Sequence, residues 1–293
     1  MILAKRISSW FDIILELGKF RISLLVCLSA AAGFILASGN LNQDLILPTV
    51  GVFILASGSA ALNHYQEREF DGLMKRTSSR PVPSGRVTPA NALGVAVGMI
   101  IIGSILLYRS SNSLALLLGL TTVFWYNAVY TPLKRITPLA VIPGALIGAL
   151  PPAIGWAAAG GNLTDPFLLI IALFFFVWQI PHFWLLLLKF GDEFEKAGYP
   201  TLTSRYSDQQ IAKFTFSWII ITVIISMIIP VFGINSSFML YMGLFLCAAW
   251  LVGTSRNLLN FTEDVNTLKN TFLNINVYII LVMSALALDR LWK

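Results

Sequence analysis

The 293-residue sequence carries 57% hydrophobic and only 12% charged residues, with a mean hydropathy of +0.77. A soluble domain needs about 25% charge to face water, so this composition excludes an ordinary soluble fold and leaves most of the outer surface to lipid. The net charge of +6 comes from Lys and Arg between apolar runs, which reads as membrane topology rather than a nucleic-acid surface. Cys27 and Cys247 both fall inside apolar stretches, so neither a disulfide nor a cysteine metal framework is suggested.

Residues 1–19, with Lys5, Arg6 and Lys19, lack a small-residue cleavage site after a short apolar core. They read as an amphipathic cytoplasmic lead-in rather than a signal peptide. Apolar runs then predict about nine membrane-crossing helices, near 20–38, 45–66, 90–109, 113–129, 139–159, 166–189, 213–233, 238–254 and 272–289. Turn signals separate them at Gly39-Asn40, Pro48, Pro138, Gly160-Gly161-Asn162, Asp165-Pro166 and Asn235-Ser236-Ser237. Spans of this length nearly exhaust the chain. The expected architecture is therefore one polytopic, all-α integral membrane domain over residues 1–293.

Charge sets the expected orientation. With the N-terminus inside, all of the 20 Lys and Arg except Arg109, Arg290 and Lys293 fall on the inner side. That asymmetry is the positive-inside pattern and predicts N-in, C-out. An eight-helix count would scramble it. Two inner segments, 67–89 and 190–212, each follow a span, open with acids, and pass through Lys or Arg into Pro and Gly. They come four helices apart, on one face, as in a weak internal repeat.

The first segment carries Asn63, Glu67 and Asp71 at i, i+4 and i+8, one stripe of a helix with about 6 Å between neighbours. Two carboxylates and an amide suit Mg2+, which takes one or two protein carboxylates and fills its other positions with water and phosphate oxygens. Lys75, Arg76, Arg80 and Arg86 follow and suit phosphate oxygens that the metal does not reach. The bland alternative is a solvated helix end. Against it stands Asn63, a polar group inside an apolar span, where such groups face a cavity.

The second segment supplies Asp192, Glu193, Glu195 and Lys196. Alone, such a run is a solvated surface; set opposite the first, Asp192 and Glu193 are expected to offer a second metal site, so that a diphosphate would be bracketed from both sides. The two histidines, His64 and His182, lie deeper than these acids. Each is either an interhelical hydrogen-bonding residue or a ligand for a metal-containing substrate. Pro181 bends the span beside His182, as a cavity wall tolerates. Trp125, Tyr126, Tyr130, Trp178, Phe183 and Trp184 are interfacial aromatics or the lining that would shield an allylic cation.

Asn63-x-x-x-Glu67-x-x-x-Asp71, with Met-Lys-Arg-Thr and Arg-Pro-Val-Pro-Ser-Gly-Arg after it, resembles the first signature of the UbiA-type intramembrane prenyltransferases. Tyr130-Thr-Pro-Leu-Lys134-Arg-Ile-Thr-Pro138, Gly148-Ala-Leu-Pro-Pro-Ala-Ile-Gly-Trp156, Pro181-His182-Phe-Trp184 and Ala197-Gly-Tyr-Pro200 resemble the branch of that family that farnesylates protohaem IX. The resemblance implies nine helices around a central cavity in the cell (inner) membrane, with the active site near the cytoplasmic face. It implies Mg2+-assisted ionisation of farnesyl diphosphate and addition of the farnesyl group and water to a haem vinyl group, giving haem O. Carried over, Asn63, Glu67, Asp71, Asp192 and Glu193 would hold metal. Arg68, Lys75, Arg76, Arg80 and Lys134 would contact the diphosphate, and His182 and Trp184 the acceptor. Partners so implied are farnesyl diphosphate, protohaem IX, the lipid bilayer and a downstream haem-modifying enzyme.

Two positions depart from the family pattern. Its first motif usually has Asp where this chain has Glu67, and its second has an acid where this chain has Lys196. A prenyltransferase for a quinone precursor or another aromatic acceptor is the competing enzyme. An ion-coupled transporter is the competing class, although transporters place charge near the midplane rather than at one membrane edge.

Overall fold

The computed structural model describes residues 2–110, 112–233, 236–261 and 264–292, and among these every regular element is helical. The turn signal at Asn235 and the charge at Lys293 lie outside the described residues. Helix α1 (Ile2–Leu17) exposes Trp10 and Phe11, as an interfacial helix would. It is followed by α2 (Phe20–Ser38), which Gly39 closes in the left-handed region that glycine adopts without strain. Then come α3 (Ile46–Gln66), the short α4 (Arg68–Leu73) and α5 (Pro89–Ser110). α6 (Ser113–Phe124) runs through a π-helical turn, Trp125–Tyr130, into the single turn α7 (Thr131–Leu133). The remaining helices are α8 (Val141–Ala158), α9 (Pro166–Lys196), α10 (Asp208–Phe232), α11 (Phe238–Ser255) and α12 (Val265–Leu291).

Among the described residues nine helical segments are long and apolar enough to cross a bilayer, and they coincide with the nine expected spans. In lipid each backbone polar group must be satisfied within the chain, and apolar helices of at least 18 residues achieve this. Helix α2 packs against α8 and α3 against α5. At Gly155 a Cβ would stand 1.8 Å from the carbonyl oxygen of Ala30, and at Gly33 one would stand 2.0 Å from that of Pro152. Only glycine allows two membrane helices such close backbone approach. A second body of packing, around Phe174, Ile219, Leu244 and Tyr278, joins α9 to α10, α11 and α12.

The second acidic run differs from its expected loop. Asp192, Glu193 and Glu195 still lie on α9, which continues to Lys196. The physical reason is the lack of any breaker in Asp-Glu-Phe-Glu-Lys; the helix stops only where Gly198 takes a φ of 84°. Helix α10 likewise starts earlier than hydropathy suggests, at Asp208, because Ser207 and Gln210 form a reciprocal capping box.

Candidate active site

The end of α3 carries the first stripe into the site. The helix breaks at Glu67 and resumes as α4, yet the backbone bonds Glu67 N–H to Asn63 O (2.9 Å) and Asp71 N–H to Glu67 O (2.8 Å) keep the helical register. Asn63, Glu67 and Asp71 thus stay on one face, and all three are buried, at 1%, 4% and 2% exposure. An isolated buried carboxylate is costly by several kcal/mol, so each must be paired. Both carboxylates are, Glu67 by Lys134 and Asp71 by Arg80, and the Asn63 amide meets a third basic residue.

Lys19 Nζ donates to Asn63 Oδ1 at 2.9 Å. Lys134 Nζ donates to Glu67 Oε2 at 2.5 Å, and Asn63 Nδ2 donates to the same oxygen at 3.0 Å. Arg80 Nη1 meets both oxygens of Asp71 at 2.7 Å. Tyr199 OH completes the set, donating to Glu67 Oε1 at 2.8 Å. Burial alone would raise the Glu67 pKa; Lys134, Lys19 and the Tyr199 hydroxyl overcome it and hold the carboxyl below its usual value. Burial, with the Arg80 charge, pulls the Lys19 ammonium down to about 7. The Tyr199 hydroxyl is pushed up by burial and by the Glu67 charge.

Lys19 is the one non-glycine residue with a positive φ (46°) among the described residues. That conformation costs about 1–2 kcal/mol, and the bond to Asn63 lies where it would offset the strain. The π-helical turn is a second irregularity at the site. Its Tyr126 and Tyr130 stack at 5.9 Å, and Tyr130 reaches Phe183 of α9 at 6.0 Å. Thr131 at its end accepts from Asn63 Nδ2 at 3.1 Å.

The expected residues divide. Asn63, Glu67 and Lys134 form one hydrogen-bonded network, and the Asp71–Arg80 pair follows it on the same stripe. Glu193 is held beside it, accepting the backbone N–H of Arg76 at 3.1 Å, while the Arg76 guanidinium lies over Phe190 and Phe194. Asp192 and Lys75 are exposed. Glu195 is tied to Thr201 and Thr203. Arg68 bonds to Glu69 (3.3 Å) and the Tyr65 carbonyl (2.9 Å). His182 sits between Trp178 (4.9 Å) and Phe272 (4.8 Å), beside the Asn276 amide. Trp184 packs against Trp218 instead. Both nitrogens of His64, Nδ1 of His182 and Nε1 of Trp184 are buried without a hydrogen-bond partner.

Sequence reasoning gave no role to Lys19, Thr131 or Tyr199. A lysine just ahead of an apolar run reads as an orientation signal, and the tyrosine lies 132 residues from its partner. Among the described residues no three acidic, histidine or cysteine side chains converge to cage a metal. The donor set nevertheless suits Mg2+, which needs only one or two carboxylates when substrate phosphate and water complete its shell.

Among the described residues, a nine-span helical bundle carries a buried oxygen-rich stripe whose members are paired with cations. That defines the class: an integral membrane protein with a buried polar site suited to a divalent cation and phosphate. The chain belongs to the UbiA prenyltransferase family, whose model matches residues 25–276. Its relatives include a protoheme IX farnesyltransferase of Geobacter sulfurreducens, 44% identical over 190 residues that cover 64% of this chain and 70% of the relative. Another, from Oleidesulfovibrio alaskensis, is 31% identical over 94% of this chain and 95% of its own length. The fold resembles that of a digeranylgeranylglyceryl phosphate synthase (TM-score 0.76, 16% identity, 97% of this chain and 99% of that one). It also resembles a UbiA homolog from Archaeoglobus fulgidus bound to GPP and Mg2+ (TM-score 0.66, 16% identity, 94% and 99%).

Proposed function

We propose that this chain transfers the farnesyl group of farnesyl diphosphate to a vinyl group of protohaem IX, forming haem O. The observation that carries the donor half is the buried Asn63–Glu67–Asp71 stripe, in which each residue is matched by Lys19, Lys134 or Arg80. Such a site gathers negative oxygen ligands and positive phosphate contacts within one water-poor cluster. The acceptor half is supported by similarity to protoheme IX farnesyltransferases along nearly the whole chain.

Asn63, Glu67 and Asp71 would hold Mg2+, with Asp192 and Glu193 serving a second ion. When bound, the metal would neutralise charge on the diphosphate oxygens as the leaving group departs. Arg80, Lys134 and Lys19 exchange their present partners for diphosphate oxygens, so the cluster keeps its charge balance. The farnesyl C1–oxygen bond breaks, and the vinyl π electrons form the new carbon–carbon bond. Water then adds to the cation left beside the porphyrin ring and loses a proton, leaving the hydroxyl. Tyr126, Tyr130 and Phe183 shield the allylic cation from water and stabilise it by cation–π attraction. His182, clamped by Trp178 and Phe272, contacts the haem. The Lys and Arg asymmetry supports N-in, C-out insertion of a single domain in the inner membrane, with the stripe at the cytoplasmic face.

The test is incubation of the purified protein in lipid with farnesyl diphosphate, Mg2+ and haem, followed by mass spectrometry. Farnesylated haem is the expected product. Its absence, with prenylation of an aromatic quinone precursor in its place, would move the chain to the competing acceptor class. Retained ion transport without diphosphate release would move it to the transporters. For the acceptor contact, His182→Ala is expected to weaken haem binding about tenfold in an optical titration; an unchanged curve would return His182 to a packing role.

A further inference from the structure

Glu67 is a longer residue than the aspartate usual at its position, and the structure gives its extra reach a partner. Helix α9 ends where Gly198 reverses the chain, and the Tyr199 N–H closes the turn onto the Phe194 carbonyl at 2.9 Å. The Tyr199 ring is buried between Phe70 (5.1 Å) and Phe194 (5.9 Å), in a small cluster with Met74 and Ala197. This packing aims its hydroxyl at Glu67 Oε1, 2.8 Å away, on the side opposite Lys134 and Asn63, which hold Oε2. An aspartate at 67 would stop one methylene short. A second link runs parallel, from the Arg76 N–H to Glu193. The two acidic segments are thus clasped together through a carboxylate that faces the site.

We propose that Tyr199 is a positioning residue for the diphosphate site: its hydroxyl sets the direction of the Glu67 carboxylate and fastens the end of α9 to the first acidic stripe. The proposal rests on the metal and diphosphate reading above. Without the hydroxyl, Oε1 loses its anchor and the carboxylate swings toward Lys134, where it is less available to a cation. The C-terminal end of α9, which carries Asp192 and Glu193, loosens with it.

The experiment uses the full chain in lipid nanodiscs and calorimetric binding of farnesyl thiodiphosphate, a slow-reacting analogue, across a Mg2+ series without acceptor. Tyr199→Phe keeps the ring and its packing. It is expected to raise the Mg2+ half-saturation about tenfold, the scale of one lost hydrogen bond to a charged group. Glu67→Asp should produce a similar shift, and the double variant should be no worse than Glu67→Asp alone, because the shortened acid no longer reaches the tyrosine. Mg2+-dependent binding that Tyr199→Phe leaves unchanged, or effects that simply add in the double variant, would overturn the positioning role alone. Binding of the analogue independent of Mg2+ in the unsubstituted protein would overturn the metal reading, and the positioning role with it.

Discussion

The ends of α3 and α9 are alike in sequence, each an acidic run leaving an apolar span, and unlike in structure. Where α3 passes into α4, Glu67 and Asp71 are almost wholly buried and each finds a cation, while Glu69 between them is exposed. At α9 Asp192 is exposed, Glu195 is satisfied by two threonines of the segment that follows the helix, and only Glu193 reaches across to the other segment. The difference teaches that pairing, rather than acid content, marks where charge is put to use. A carboxylate buried at such cost persists only within a network, whereas an exposed one needs no partner.

That contrast can be broken from either side. Asp71→Asn should have the largest effect. Farnesyl transfer is expected to fall by about a hundredfold or more and to lose its Mg2+ dependence, while membrane fractionation shows the protein still inserted. Normal product formation would remove Asp71 from the metal site. Lys134→Met comes next, since it strips Glu67 of its cation in a buried setting. We expect a rise of about tenfold in KM for farnesyl diphosphate together with a lower thermal unfolding midpoint; a fall in the midpoint alone would make the pair structural. Asp192→Asn should act more weakly, about tenfold or less on turnover, read from the same product assay. A loss equal to that of Asp71→Asn would erase the distinction between the two segments. Arg68→Ala should change activity by no more than about twofold, because an exposed pair such as Arg68–Glu69 contributes about 0–1 kcal/mol.

Much of this site was legible beforehand. The i, i+4, i+8 spacing of Asn63, Glu67 and Asp71 survives a break in the helix because the backbone bonds at Glu67 and Asp71 preserve the register. Arg80 was readable as a nearby cation, since nine residues separate it from Asp71. Tyr199 and Lys19 were not, because their partners are 132 and 44 residues away and only the folded bundle brings them together. Arg68 differs for the opposite reason. It is adjacent to the motif, but one residue along a helix turns a side chain about 100° to another face.

The sequence by itself determined the membrane class, the nine spans, the charge asymmetry and the stripe, because lipid demands long apolar helices and helical geometry follows from spacing alone. Only the tertiary structure decided which cation meets which acid and that Tyr199 closes on Glu67. Those outcomes depend on helix packing and on where Gly198 turns the chain. No local rule encodes them: a buried charge takes whichever partner the packed bundle brings within reach.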